Sequence, residues 1–248
     1  MVGKGVARPL FSLKMAEHGS VTLIAKSKAS ESNSSMAQGG IASVIATEDR
    51  RYYRHFGISP KGVVGAIVIN LREGRGPFSG HGGSTITQQT AKLLCLGVEY
   101  DPALWESEQD YVQDCRRTTL WRKAKEAIYA LAMEVKYSKN EILSIYLNRA
   151  YMGGGNFGVT AAAEFYFGKS VKDVDLSEAA MLAGLFKAPT RYAPHVDLAA
   201  ARGRANVGLS RMVDAGYFTE GQVAVARRNP ATPIDQSAQI DSPNYFLD

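Results

Sequence analysis

Three polar clusters combine residue types and spacings that could do chemistry. The first is Thr47-Glu48-Asp49-Arg50-Arg51-Tyr52-Tyr53-Arg54-His55-Phe56-Gly57, which packs acids, bases and aromatics into one run. Glu48 continues the i+3/i+4 series of Ile41, Val44 and Ile45, so it falls on an apolar helical stripe. A carboxylate there is costly unless it is paired or used. The second cluster runs from Ser84 to Lys92, with Ser84 read as the N-cap of a helix. Thr85, Gln89 and Lys92 fall at i, i+4 and i+7 as a polar stripe, with Gln88 beside it and Ile86, Thr90 and Leu93 opposite. Neutral donors ending in a lysine suit sugar hydroxyls and a phosphate. The third is a helix over Trp121–Val135, where Glu126 lies four residues after Arg122 and three after Lys123, with Lys125 adjacent. Ile128, Leu131, Ala132 and Val135 are its expected buried stripe.

Each cluster also has a plainer reading. Glu48 could be an ion-pair partner of a nearby arginine, and the other two stripes could be solvated faces. Intrahelical Arg–Glu pairs are worth only a few tenths of a kcal/mol, so spacing alone favours that reading for the third cluster. Taken together, though, two glutamates near cations form the usual equipment of glycosidic-bond chemistry. A hydrolase needs an acid with a raised pKa to protonate a poor leaving group. A transferase that expels pyrophosphate needs cations at the departing charge and one base for the incoming hydroxyl. Lys92, Arg122, Lys123 and Lys125 exceed what a hydrolase would need, which favours transfer.

The elements that must position these residues read as helices. The chain has 248 residues, 45% of them hydrophobic and 21% charged, the profile of a globular protein with a core. A net charge of +5 points to an anionic partner: nucleic acid, a phosphorylated substrate or an acidic membrane surface. Cys95 and Cys115 are too few for a disulfide framework or a metal cluster and read as two free thiols, a single bridge being the alternative. No apolar run reaches the roughly 18 residues of a spanning helix, and Met1–Leu10 lacks the apolar core of a signal peptide.

Along the chain, 21–25 reads as a short strand and 26–35 as a flexible loop. A helix starts near Met36 and is expected to close at Gly57. Ser59-Pro60 opens a second helix that stops at Gly74 and is apolar around most of its circumference, so it is either buried or laid on a membrane. Arg75–Gly83 is a glycine-rich connection without P-loop spacing, and 95–118 is an irregular polar surface insertion. Helices follow over Asn140–Ala150, Val159–Phe167, Leu176–Phe186 and Leu198–Ala215, with Asp175 and Glu178 as a capping box. The segment 229–248 is polar and ends in an aromatic, apolar Asn244–Asp248.

In order, Glu48–Gly57, Gly83–Gln89, Arg122–Glu126, Glu141–Asn148 and Ala179–Pro194 resemble the five signature motifs of the bacterial peptidoglycan glycosyltransferases. These are the polymerising domains of class A bifunctional penicillin-binding proteins and of their monofunctional relatives. The resemblance covers about residues 36–216. It implies a mainly α, lysozyme-like fold with a large helical lobe and a smaller membrane-facing jaw, to which the apolar helix from Pro60 would belong. The implied reaction is polymerisation of lipid II into glycan strands, with inversion and with undecaprenyl pyrophosphate leaving. By similarity Glu48 is the general base and Glu126 the second essential glutamate. Asp49, His55, Ser84, Thr85, Gln88, Gln89, Lys92, Arg122, Lys123, Lys125 and Asn148 match substrate-binding positions, the cations of the third motif at the pyrophosphate.

No metal site and no obligatory cofactor are implied, although a divalent cation (Mg) at the pyrophosphate is compatible with the chemistry. The implied partners are lipid II, the nascent glycan strand, the bacterial membrane surface and cell-wall synthesis proteins, with no nucleic acid. The implied location is the outer, periplasmic face of the cytoplasmic membrane. Tyr52 stands where the family usually has Phe, Ser144 where Glu is common, and the 95–118 insertion is longer than usual, leaving Arg116 and Arg117 unassigned. Residues 1–35 are expected to connect to a missing membrane anchor, and 217–248 to lead towards a penicillin-binding transpeptidase domain. The competing readings are a lysozyme-like hydrolase or lytic transglycosylase and a non-catalytic module for anionic lipid.

Overall fold

The computed structural model describes residues 10–14, 20–24, 33–77, 79, 82–98, 101–116 and 119–234. In chain order the elements are β1 (Leu10–Lys14), β2 (Ser20–Ile24), α1 (Asn33–Glu48), α2 (Pro60–Arg72), α3 (Ile86–Leu93), α4 (Glu108–Arg116), α5 (Leu120–Lys136), α6 (Lys139–Arg149), α7 (Val159–Phe167), α8 (Leu176–Leu185), α9 (Pro189–Tyr192), α10 (Leu198–Asp214) and α11 (Glu220–Arg228). Short 3-10 turns occupy Tyr52–Arg54 and Cys95–Gly97. The two strands pair with each other, and helices make up the rest. Most of the 26–35 loop and all of Asn244–Asp248 lie outside the described residues.

Contacts divide the chain into two compact units, Met1–Leu10 with Ile24–Glu48 and Ala150–Asp248, and Phe11–Leu23 with Asp49–Arg149. The first unit is built around α8. Its sequence, Leu-Ser-Glu-Ala-Ala-Met-Leu-Ala-Gly-Leu, is buried from Ser177 to Leu185, which an amphipathic pattern could not achieve. α1 and α10 pack on it. The approach is close because small residues meet: a Cβ on Gly208 of α10 would come 3.1 Å from Ser43 Oγ of α1. Burying Met181, Leu182 and Leu185 contributes about 1.5–3 kcal/mol each. The Asp175–Glu178 capping box forms as expected, starting α8 at a defined residue. α11, absent from the sequence reading, opens with a Thr219–Gln222 capping box and buries Val223 and Ala226 in the same core.

In the second unit α5 and α6 pack on α3. The expected α5 stripe is on the wrong side: Ile128 and Val135 are 67% and 79% exposed, and Leu131 and Ala132 also face outward. The buried positions are Glu126, Ala130 and Met133, a stripe advanced by about half a turn. The physical reason is that each acid on that face is paired with a lysine, Glu126 with a half-exposed Lys123 and Glu134 with a largely buried Lys139, so its burial leaves no uncompensated charge. α2 begins with Ser59 accepting from Gly62 N, as expected from Ser59-Pro60. Its Val64, Val68, Ile69 and Leu71 are exposed, which removes the buried-core alternative for this helix.

Three local expectations need correction. α1 ends at Glu48 rather than at Gly57, because Asp49 leaves helical geometry to bond elsewhere. The N-cap of α3 is Thr85, not Ser84. The 95–118 insertion is not simply irregular: it contains α4, and Cys95 and Cys115 form a disulfide rather than two free thiols.

Candidate active site

Glu48 is the last residue of α1 and its side chain is 11% exposed. The stripe that carries it holds Val44 and Ile45 in the core. Arg204 of α10 places Nη2 3.8 Å from Glu48 Oε1, close enough for charge attraction but too long for a hydrogen bond. Burial pulls the Arg204 guanidinium below its ordinary range, and the Glu48 carboxylate opposes that pull. One α10 turn-pair further on, Arg211 donates Nη1 to Thr47 O at 2.9 Å and so satisfies a carbonyl that the end of α1 leaves unpaired. Neither arginine was read from the sequence. The available signal was their seven-residue spacing around Gly208 on one face of a helix.

Asp49 begins the second unit and works as a structural junction. Its Oδ2 meets His55 Nε2 at 2.9 Å and accepts from Ile86 N, the first amide of α3, at 3.1 Å. A carboxylate at that helix N-terminus is favoured by the unpaired amides there. The return of the chain between them needs Gly57, whose φ is +71° and whose added Cβ would meet Ala130 O at 3.1 Å. Gly57 O in turn accepts from Thr85 Oγ1 at 2.6 Å.

In the Ser84–Lys92 cluster the side chains divide by role. Thr85 and Gln88 are buried and committed to a reciprocal capping box, Gln88 N donating to Thr85 Oγ1 and Thr85 N to Gln88 Oε1. Gln89 accepts from Tyr146 Oη of α6 at 2.8 Å. Lys92 is exposed at the end of the helix. Ser84, just before the cap, accepts from Lys123 Nζ at 2.8 Å, which brings the second cluster to the third.

On α5, Lys123 Nζ also donates to Glu126 Oε1 while Glu126 itself is only 4% exposed. The ammonium is therefore shared between Ser84 and the buried carboxylate. Arg122 donates Nη1 to Asp114 O at 3.2 Å, and its Nη2 is buried with no hydrogen-bond partner. Lys125 is exposed and lies over the Trp121 ring. Asn148 donates to Ser144 O at 3.0 Å on α6.

A buried network beneath this surface was missed. Glu134 of α5 accepts from Thr87 Oγ1 and from Lys139 Nζ, each at 2.6 Å. Tyr52 Oη donates to Lys139 O at 2.6 Å, and the Lys139 ammonium sits over the Tyr52 ring. Burial, then the Glu134 charge, push the Tyr52 phenol well above its ordinary range. The sequence signal for it, Thr87, Glu134 and Lys139, is ordinary in composition and distant in order.

Comparison with known proteins gives a consistent picture. A family model described as Transglycosylase matches residues 19–213. Penicillin-binding protein 1A of Aquifex aeolicus is 41% identical over 208 residues, covering 84% of this chain and 26% of the relative. Penicillin-binding protein 1A of Escherichia coli is 42% identical over 185 residues, covering 73% and 19% respectively. Penicillin-binding protein 1F of Bacillus subtilis is 37% identical over 183 residues, covering 74% and 23%. The chain thus spans about a quarter or less of the length of these relatives. A crystal structure of Penicillin-binding protein 1A from Haemophilus influenzae aligns over 40% of this chain and 15% of its own, at 42% identity and a TM-score of 0.38.

Proposed function

The chain belongs to the transglycosylase family, and from that premise we propose that it polymerises lipid II into peptidoglycan glycan strands. The observation that carries the reading is the Lys123–Glu126–Ser84 arrangement. A buried carboxylate holds an ammonium that it shares with a half-buried hydroxyl, and Arg122 lies one residue away from Lys123. A hydrolytic acid would need a carboxyl free to donate a proton to a sugar oxygen. Here the charge balance instead suits an anionic leaving group that needs no proton, which is what a pyrophosphate is.

In the proposed reaction Glu48 takes the proton of the acceptor 4-hydroxyl as that oxygen forms its bond to the anomeric carbon. The bond from that carbon to the pyrophosphate oxygen breaks with inversion, and its electron pair leaves on undecaprenyl pyrophosphate. Lys123, Arg122 and Lys125 neutralise the departing charge, with Glu126 keeping Lys123 in place. Lys92 and Gln89, both on α3, face the sugar and phosphate oxygens of bound substrate in this scheme. Asp49, His55, Thr85 and Gln88 act through backbone positions, since their polar atoms hold the turn and the start of α3. A divalent cation at the pyrophosphate would find Glu126 already engaged by Lys123. Among the described residues no group of three His, Cys, Asp or Glu side chains converges, so no step is assigned to such an ion.

The same reading puts the protein at the outer face of the cytoplasmic membrane. Two observations support it: the exposed apolar side of α2, and a disulfide, which persists in oxidising compartments. No helix among the described residues is long and apolar enough to cross a membrane. The test is chain growth on lipid II by wild type and Glu48→Gln, read together with lipid II binding. Loss of polymerisation by at least about a hundredfold, with binding largely kept, is the expected outcome for removing a general base. Glycan growth at the wild-type rate by Glu48→Gln would refute the base assignment. Release of soluble muropeptides from sacculi, without growth on lipid II, would replace transfer by cleavage.

A further inference from the structure

The insertion between α3 and α5 carries a disulfide and a carbonyl aimed at a basic side chain. Cys95 follows α3 directly, in a turn where it and Leu96 take left-handed φ values of 52° and 58°. Cys115 sits in the last turn of α4, its Cα 5.1 Å from that of Cys95, and both residues are buried. The residue before Cys115 is Asp114, in the last turn of α4. Its carbonyl accepts from Arg122 Nη1 at 3.2 Å. Arg122 lies in the first turn of α5, next to Lys123, with Nη2 buried and unpartnered. One edge of the guanidinium is therefore held by the insertion, and the other has two donors' worth of capacity for an oxygen anion.

Noncovalent contacts also tie the insertion. Tyr111 Oη donates to Val98 O at 2.6 Å in an exposed setting, and Trp105 packs edge-on against Tyr111 with ring centres 5.2 Å apart. Each contributes about 1 kcal/mol. The covalent link ties the end of α4, and with it the Asp114 carbonyl beside Arg122, to the turn that follows α3.

We propose that the Cys95–Cys115 disulfide, through the Asp114 carbonyl, positions Arg122 to engage the pyrophosphate of the lipid-linked substrate. The two cysteines and Asp114 are positioning residues; Arg122 makes the contact. This deepens the function proposed above and rests on it for the identity of the leaving group. Reduction by a dithiol puts two electrons and two protons into the bond, giving two thiols while the dithiol leaves as its own disulfide. The end of α4 is then released, and Arg122 loses its orientation without losing its charge.

The experiment compares the oxidised protein, the dithiol-reduced protein and Cys95→Ser/Cys115→Ser, each alone and with Arg122→Ala. Peptide mass mapping comes first, and two free thiols in protein prepared under oxidising conditions would overturn the proposal at once. The expected result is that KM for lipid II rises about three- to tenfold on reduction, as for partial loss of one charge-assisted hydrogen bond, while kcat changes less than about twofold. Reoxidation restores KM, the double serine variant matches the reduced protein, and reduction has no effect on KM once Arg122 is alanine. An unchanged KM overturns the proposal, as does an equal change in the Arg122→Ala background, which would mark a general loosening of the fold. Should the serine variant fail to fold, reduction of the folded wild type, checked by thiol count and circular dichroism, carries the same comparison. Calorimetric titration with inorganic pyrophosphate separates the two readings. Oxidised protein binding it several-fold more tightly than reduced supports the positioning even if lipid II is not extended, and equal binding refutes it even if lipid II is.

Discussion

Replacing Glu134 should cost more stability than any other single side chain beneath the α3–α5 contact. Its side chain is 3% exposed, and one oxygen accepts from both Thr87 Oγ1 and Lys139 Nζ. Glu134→Ala removes two short hydrogen bonds and leaves an ammonium on a side chain only 19% exposed without its counter-ion. It also strands the Thr87 hydroxyl in a fully buried position. Breaking a buried pair from one side costs about 3–5 kcal/mol, mostly through the charge left behind. Glu134→Gln keeps an oxygen able to accept from both donors but removes the charge opposite Lys139, and should cost about 2 kcal/mol. The paired change Glu134→Leu/Lys139→Met removes both charges together and should cost less than Glu134→Ala alone, since a desolvated pair can be replaced by apolar groups at little loss. Urea denaturation followed by circular dichroism measures all three, read as shifts in midpoint at constant slope. A Glu134→Ala loss below about 1 kcal/mol would refute the reasoning, because it would mean that the pair contributes as little as a surface ion pair. So would a double variant as destabilised as the sum of its single changes, because the two side chains would then not be coupled.

Asp49→Ala should destabilise by about 2–4 kcal/mol, since Ile86 N and His55 Nε2 both lose a buried acceptor, whereas Asp49→Asn keeps one acceptor and should cost about half as much. Thermal midpoints of the two variants decide it, and equal midpoints would remove Asp49 as the junction. Burial pushes the Tyr166 phenol up to about 12 from an ordinary value of 10, with the Tyr151 charge adding to it. The folded state therefore keeps that proton while the unfolded state loses it, so this contribution is intact below pH 10 and is lost as pH rises from 10 through 12. Tyr166→Phe should make the fall of stability with pH shallower across that window. Denaturation midpoints at pH 9, 10 and 11 that run parallel to wild type would contradict the assignment.

Local features were legible in the order of residues, for a local reason. Ser59-Pro60 and Asp175-to-Glu178 specify helix starts because a side chain and an amide three residues apart meet whatever the rest of the chain does. The same holds for the helical period that carries Glu48 onto the Ile41–Val44–Ile45 stripe, and for the ordered clusters that point to sugar and phosphate chemistry. Two partly conflicting periods run through α5, one apolar through Ile128 and Val135 and one polar through Glu126 and Glu134. Periodicity favours the apolar one. Only the folded unit shows that Lys123 and Lys139 neutralise the acids, which lets the polar stripe turn inward and leaves the apolar stripe outside.

The remaining decisions were made by partners far away in the chain. Nothing near Glu48 announces Arg204 or the Arg211 that caps Thr47 O, because both arrive on α10 through packing around Gly208. Nothing within 95–118 says that Cys95 and Cys115 pair, since pairing depends on where α4 lies against the Cys95–Gly97 turn. Residue order alone brought the candidate acids, cations and amides into short clusters and set helix starts such as Ser59-Pro60 and Asp175-to-Glu178, as short-range bonding follows from it. Tertiary structure decided which of those helices' faces are buried and which charges are matched, because burial of a charge depends on a counter-charge that only the fold can bring to it.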